Sequence, residues 1–204
     1  MNRQRLSRIA LVVGFVLLAV AVGFGVRIFL LGAGEPSAAA LSGAALFGGP
    51  FTLVDQNGKT RTDADFRGRY LVVYFGYTFC PDLCPTELQT ISDALDRLGD
   101  KAAKVQPLFI TIDPERDTAP VLKEYVGHFR PGLVGLTGSA REIAAAAKAY
   151  RVYYAKVPAA DGGDDYLMDH SGFVFLMGPD GRYLTHFTPQ TTAKELAQAI
   201  AKFL

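Results

Sequence analysis

"YLVVYFGYTFCPDLCPTEL", residues 70–88, decides how this 204-residue chain folds. It opens with an unbroken apolar and aromatic run, Tyr70 to Tyr77, the pattern of a strand buried on both faces of a central sheet. Leu88, Ile91, Leu95 and Leu98 then recur at helical spacing, and Gly99 stands where that helix would stop. Between strand and helix lie both cysteines of the chain, Cys80 and Cys84. The spacing therefore predicts a strand, a cysteine-bearing turn and a helix in immediate succession.

That placement has chemical consequences. A cysteine at the start of a helix sits near unpaired backbone N–H groups and the positive end of the helix dipole, both of which favour thiolate over thiol. Pro81 and Pro85 suit a first helical turn, where a missing N–H costs nothing. With three residues between them, the two sulfurs fall on one side of the turn if it is helical. As a covalent staple the pair is poorly placed: so small a loop yields about 2 kcal/mol by chain entropy, against about 3 for a loop of roughly 15 residues. Convergent sulfurs serve either a reversible disulfide or a shared metal ion, and the plain alternative is two buried structural cysteines.

Outward from this stretch, strands and helices alternate. "FTLVD" before Asn57-Gly58 reads as a strand entering a tight turn. "VQPLFITID" (105–113) is a strand, followed by a helix from about Thr118 with Val121, Leu122, Tyr125, Val126 and Phe129 facing inward. "LVGLT" (133–137) is a short strand, and an Ala-rich helix runs from Ser139 to about Tyr150. "RVYYAKV" (151–157) and "GFVFLMG" (172–178) read as strands, the second turning at Pro179-Asp180-Gly181 into "RYLTHF" (182–187). A last helix carries Leu196, Ile200 and Phe203 on one face. This order predicts an α/β domain with a mixed sheet flanked by helices, as in thioredoxin-like proteins.

The N-terminal quarter is different in kind. Residues 1–8 carry Arg3, Arg5 and Arg8, and an uncharged apolar run starts at Ile9 and, interrupted by Arg27, extends to Leu31. That is close to the roughly 20 residues needed to cross a bilayer and longer than the core of a cleaved signal peptide, so an uncleaved anchor is expected; the small residues of "SAAALSGAA" (37–45) leave a cleaved signal as the alternative. Three arginines ahead of the span against one behind place residues 1–8 in the cytoplasm and the rest outside. Residues 32–49, small and aperiodic, read as a flexible linker, with the folded domain over 50–204. Outside the cytoplasm a cysteine pair can be oxidised. With 21 basic against 20 acidic residues and a net charge of +1, the chain has no electrostatic grip for nucleic acid.

Three histidines complete the inventory. His128, late in a helix, reads as a C-terminal dipole partner, and His186 as an outer-strand residue. His170, in "YLMDHSGFVFL", stands in the loop entering a strong strand, and in a thioredoxin-like layout that loop approaches the cysteine turn. Two thiolates and an imidazole form a soft set suited to Cu(I) and tolerable for Cu(II). Zinc would want a fourth ligand, for which Asp82, Asp113, Asp169 and Met168 are candidates.

Three motifs, "GYTFCPDLCPTEL" (76–88), "TIDPERDT" (111–118) and "DHSGFVFLMGPDGRY" (169–183), resemble in order and spacing the Sco/SenC family of membrane-anchored copper chaperones. The resemblance implies a thioredoxin-like domain with copper held by Cys80, Cys84 and His170. It also implies delivery of copper to the binuclear site of cytochrome c oxidase subunit II or another cuproprotein, in exchange with other copper chaperones or thioredoxin-like reductants. A second role it implies is reduction of the recipient's cysteines, making Cys80 and Cys84 redox-active. Asp113, Pro114 and Asp117 match the family's acidic motif, with Asp117 expected to cap the next helix and Asp113 to border the site. A general thioredoxin-type exchanger fits less well, since three residues rather than two separate the cysteines and "LMDHSG" has no proline. A peroxiredoxin-like peroxidase fits least, because Pro81 stands where that family places a threonine.

Overall fold

Among the described residues the alternation of buried runs and helical spacings produces fifteen elements, of which nine strands and four α-helices frame the site. The computed structural model describes Leu17, residues 47–158 and residues 166–204. The expected cytoplasmic segment 1–8, the membrane span 9–31 apart from Leu17, and the linker up to residue 46 lie outside the described residues. Among the described residues no helix is long and apolar enough to cross a membrane.

The strands are β1 (Thr52–Asp55), β2 (Thr60–Thr62), β3 (Tyr70–Gly76), β4 (Val105–Thr111), β5 (Val134–Thr137), β6 (Tyr154–Pro158), β7 (Tyr166–His170), β8 (Val174–Met177) and β9 (Tyr183–Phe187). The helices are α1 (Leu83–Arg97), α2 (Ala119–Val126), α3 (Ala140–Ala149) and α4 (Ala193–Ala201). Seven strands form one mixed sheet in the order β2-β1-β5-β4-β3-β8-β9, with β3, β4 and β5 parallel and β8 antiparallel to β3. This is the thioredoxin-like arrangement that the alternation predicts. β3 and β4 are central and buried almost throughout, which explains their continuous apolar sequence. Helix α1 packs on α4, α2 on β5 and α3 on β1.

Local chemistry sets the element ends. In the β1–β2 turn Gly58 takes φ +79°, and Asp55 accepts from the amides of Asn57 and Lys59 at 2.9 and 3.0 Å. Ser139 with Glu142, and Thr192 with Glu195, form capping boxes at the starts of α3 and α4. Val121 and Phe203, expected on inner faces, are 36% and 39% exposed. Both lie at the margin of a helical stripe whose centre, Leu122 and Ile200, is fully buried.

Two features depart from the sequence reading. β6 starts at Tyr154, because Arg151 takes φ +56° and breaks the run before it. Its partner is not the main sheet but β7, in a separate two-stranded ribbon with Tyr154 opposite His170. Residues 166–170, expected as a loop, are therefore a strand. Packing also begins ahead of residue 50. The Phe47 ring lies 4.8 Å from that of Tyr183 and 5.9 Å from that of Phe175, and the Gly48 amide donates to the Ala149 carbonyl at 2.9 Å. Phe47→Ala should lower the domain's stability by about 1–2 kcal/mol, measured by denaturant unfolding; an unchanged midpoint would show that the contact carries no stability.

Candidate metal centre

Strand β3 ends at the site and α1 begins there. Between them, Cys80 precedes the helix and is half-buried, while Cys84 is the second helical residue and fully buried. The Cys84 amide donates to the Cys80 sulfur at 3.3 Å, so the first helical turn itself draws the two residues together. Room for the Cys84 sulfur comes from Gly76: a Cβ there would stand 2.8 Å from Cys84 Sγ and 2.9 Å from the Phe109 ring. A glycine in an otherwise bulky strand is thus the imprint of a sulfur lying against bare backbone.

His170 enters from the far side. Along β7 the odd members, Leu167 and Asp169, are exposed, whereas Tyr166, Met168 and His170 point inward. His170 Nε2 lies 3.5 Å from Cys84 Sγ, across 86 residues of sequence. Its Nδ1 lies 3.2 Å from the Ser171 carbonyl: with the proton on Nε2 the ring donates to the sulfurs, and with it on Nδ1 the Nε2 lone pair is free for an ion. The imidazole meets the rings of Tyr77 and Tyr74 edge-on at 6.0 and 6.2 Å, and the Tyr74 hydroxyl donates to Cys84 Sγ at 3.6 Å. Cys80, Cys84 and His170 therefore form one cluster.

The two sulfurs differ electrostatically. Donation from the Cys84 thiol, aided by His170 and the amides of Cys84 and Asp82 and opposed by burial, pulls the Cys80 thiol down to about 3. The same sharing of one proton, together with burial, pushes the Cys84 thiol well above the ordinary range. At neutral pH the pair is a thiolate at Cys80 stabilised by a thiol at Cys84. Among the described residues, no three His, Cys, Asp or Glu side chains stand in a ready-made cage for an ion. An ion entering between Cys84 and His170 would replace the contact of Sγ with Nε2 by bonds from the two atoms to itself.

The other sequence candidates lie elsewhere. Asp169 points outward and Asp82 is exposed at the N-cap of α1, whereas Met168 is buried on the His170 side of β7. Asp117 does not cap α2; that place is taken by Thr118, and Asp117 is fully buried, bonded to Thr78 and Thr111. Asp113 bonds Arg116 and Tyr166. His128 is exposed just past α2, and His186 bonds Tyr183 on β9. Sequence reasoning missed Tyr74, Gly76 and Glu87. Glu87, one turn beyond Cys84 on α1, is almost wholly buried, and burial pushes its carboxyl up to about 7. Its place on the apolar stripe with Cys84, Leu88 and Ile91 was the available signal.

A family model described as SCO1/SenC matches residues 39–204. The chain is 44% identical over 161 residues to the Homo sapiens "Protein SCO1 homolog, mitochondrial", covering 78% of this chain and 53% of that one. It spans about half to three-fifths of the length of the first curated relatives it matches. The structure of Bradyrhizobium japonicum ScoI with copper bound is similar at a TM-score of 0.72 and 46% identity, over 78% of this chain and 99% of that one. BsSco, a member of the Sco family of cytochrome c oxidase assembly proteins in which a disulfide switch has been identified, is similar at a TM-score of 0.61 and 25% identity, over 79% and 94%.

Alkylation of the metal-free domain should label Cys80 alone at pH 5–6, where an ordinary thiol is almost fully protonated. Cys84→Ala should move the midpoint of that labelling upward, because the largest stabiliser of the thiolate is gone. Since the folded value lies below the unfolded one, the stability Cys80 contributes is present above pH ~8.5 and declines as pH falls toward 3. Equal labelling of both cysteines with a midpoint near pH ~8.5 would contradict this asymmetry.

Proposed function

The chain belongs to the SCO1/SenC family, and from that premise we propose that it is a copper chaperone binding one copper ion through Cys80, Cys84 and His170. The observation that carries this reading is the 3.5 Å approach of His170 Nε2 to Cys84 Sγ beside Cys80. Copper is cargo here, so it must enter and leave. Cys80 is the accessible thiolate and meets the ion first; Cys84 gives up its proton as its sulfur joins; His170 completes the set through Nε2. Three soft donors satisfy Cu(I) without a fourth ligand and leave one side for a recipient's thiolates to attack. The recipient is subunit II of cytochrome c oxidase or another cuproprotein. The apolar run 9–31 anchors the chain, with residues 1–8 in the cytoplasm and the copper domain outside.

A second reading rests on the unequal cysteines. Cys80 thiolate attacks a recipient disulfide, forming a mixed disulfide and releasing one recipient thiolate. Cys84, deprotonated, then attacks the Cys80 sulfur, releasing the second recipient thiolate and leaving Cys80–Cys84 oxidised. The recipient gains two electrons and the chain loses two, to be restored by a thioredoxin-like reductant.

Titration against a Cu(I) chelator should give about one copper per domain, with His170→Ala weakening binding about 10–100-fold and Cys84→Ser weakening it further. Unchanged affinity in His170→Ala would remove the histidine from the ligand set. Thiol–disulfide exchange with an oxidised recipient peptide should survive His170→Ala and vanish in Cys84→Ser. For topology, a reporter active only outside the cytoplasm, fused after Leu204, is expected to be active; a silent fusion would reverse the arginine argument.

A further inference from the structure

The loop after β4, which carries "TIDPERDT", sends hydrogen bonds in two directions. Asp117 accepts from the Thr78 amide at 3.0 Å, from Thr78 Oγ1 at 2.5 Å and from Thr111 Oγ1 at 2.6 Å. These bonds fix the chain two residues ahead of Cys80. Asp113 accepts from the Tyr166 hydroxyl at 2.9 Å and from Arg116 Nε at 2.5 Å, while Arg116 Nη1 donates to the Tyr166 carbonyl at 3.0 Å. Tyr166 begins the strand that ends in His170 and shares its inward face.

The Arg116 guanidinium lies where these two sets of bonds meet. Its central carbon is 3.7 Å from the centroid of the Tyr166 ring and 4.6 Å from that of Phe79, the residue before Cys80. It also lies 5.9 Å from the ring of Tyr77, which in turn meets the His170 imidazole. One planar cation thus touches both the cysteine turn and the histidine strand. Its Nη2 is buried without a partner among the described residues, so stacking and the bonds of Nε and Nη1 hold the group in place. Lysine offers neither the plane nor the forked donors.

We propose that Arg116 is a positioning residue that holds the Cys80–Cys84 turn and the His170 strand at the separation where sulfur and imidazole meet. Its effect on copper binding rests on the three-ligand reading above, whereas its effect on the position of His170 does not.

Two measurements on the full chain test this, using Arg116→Gln, Arg116→Lys and the milder Tyr166→Phe, which removes only the hydroxyl bonded to Asp113. With the three histidines selectively labelled, NMR of the metal-free chain should show the His170 ring losing its contacts with Tyr77 in both Arg116 variants and weakening them in Tyr166→Phe. The His128 and His186 signals should stay in place, which a general loss of stability would not allow. Competition for Cu(I) should show Arg116→Gln weakening binding about 10–100-fold, with no further loss when combined with His170→Ala. Wild-type behaviour of Arg116→Lys in both measurements, or fully additive losses in the double variant, would overturn the proposal. If His170→Ala leaves Cu(I) binding unchanged, the three-ligand reading fails and the NMR contacts alone decide: retained contacts in Arg116→Gln refute the positioning role, lost contacts support it. If Arg116→Gln does not fold, Arg116→Lys and Tyr166→Phe decide on the same two readouts.

Discussion

The contact between Cys84 Sγ and His170 Nε2, 3.5 Å across 86 residues, is the constraint on which the site depends. It requires a sulfur buried at the end of a central strand, and that requires a bare backbone beneath it, which Gly76 supplies. The contact also requires an imidazole brought in from outside the main sheet. The β6–β7 ribbon performs that task by ending its inward face on His170. Remove either element and Cys84 Sγ and His170 Nε2 no longer meet.

Burial divides the labour between the two sulfurs. Cys84 is sealed among Tyr74, Gly76 and His170, whereas Cys80 reaches solvent beside Phe79, which is 56% exposed. Charge follows the same division, with the thiolate on the accessible sulfur and the proton on the enclosed one. An arrangement of this kind suits any exchange that starts at one mouth and finishes inside, whether the group exchanged is a soft metal ion or a disulfide bond. The two readings of the function therefore share one electrostatic origin.

Much of this was legible in the sequence where the determinants are local. The buried run of β3, the stripe of α1, the Asn57-Gly58 turn and the Pro179-Asp180-Gly181 hairpin each carry their own signal within a few residues. The strand β7 did not, because residues 166–170 alternate in burial over only five positions and pair with a partner outside the main sheet. Asp117 misled for a related reason: its position suggests a cap, but its bonds run to Thr78, 39 residues away. The acidic motif, the histidine strand and the cysteine turn meet only in three dimensions, so their mutual support had no one-dimensional trace.

The proposed ligand set of Cys80, Cys84 and His170 is tested most directly on the copper-loaded domain. An X-ray absorption spectrum of the Cu(I)-loaded domain should resolve two sulfur donors and one nitrogen donor of imidazole type, the nitrogen disappearing when His170 is replaced by alanine. A spectrum with sulfur donors only in the unaltered protein, or one whose nitrogen donor survives that replacement, would contradict it.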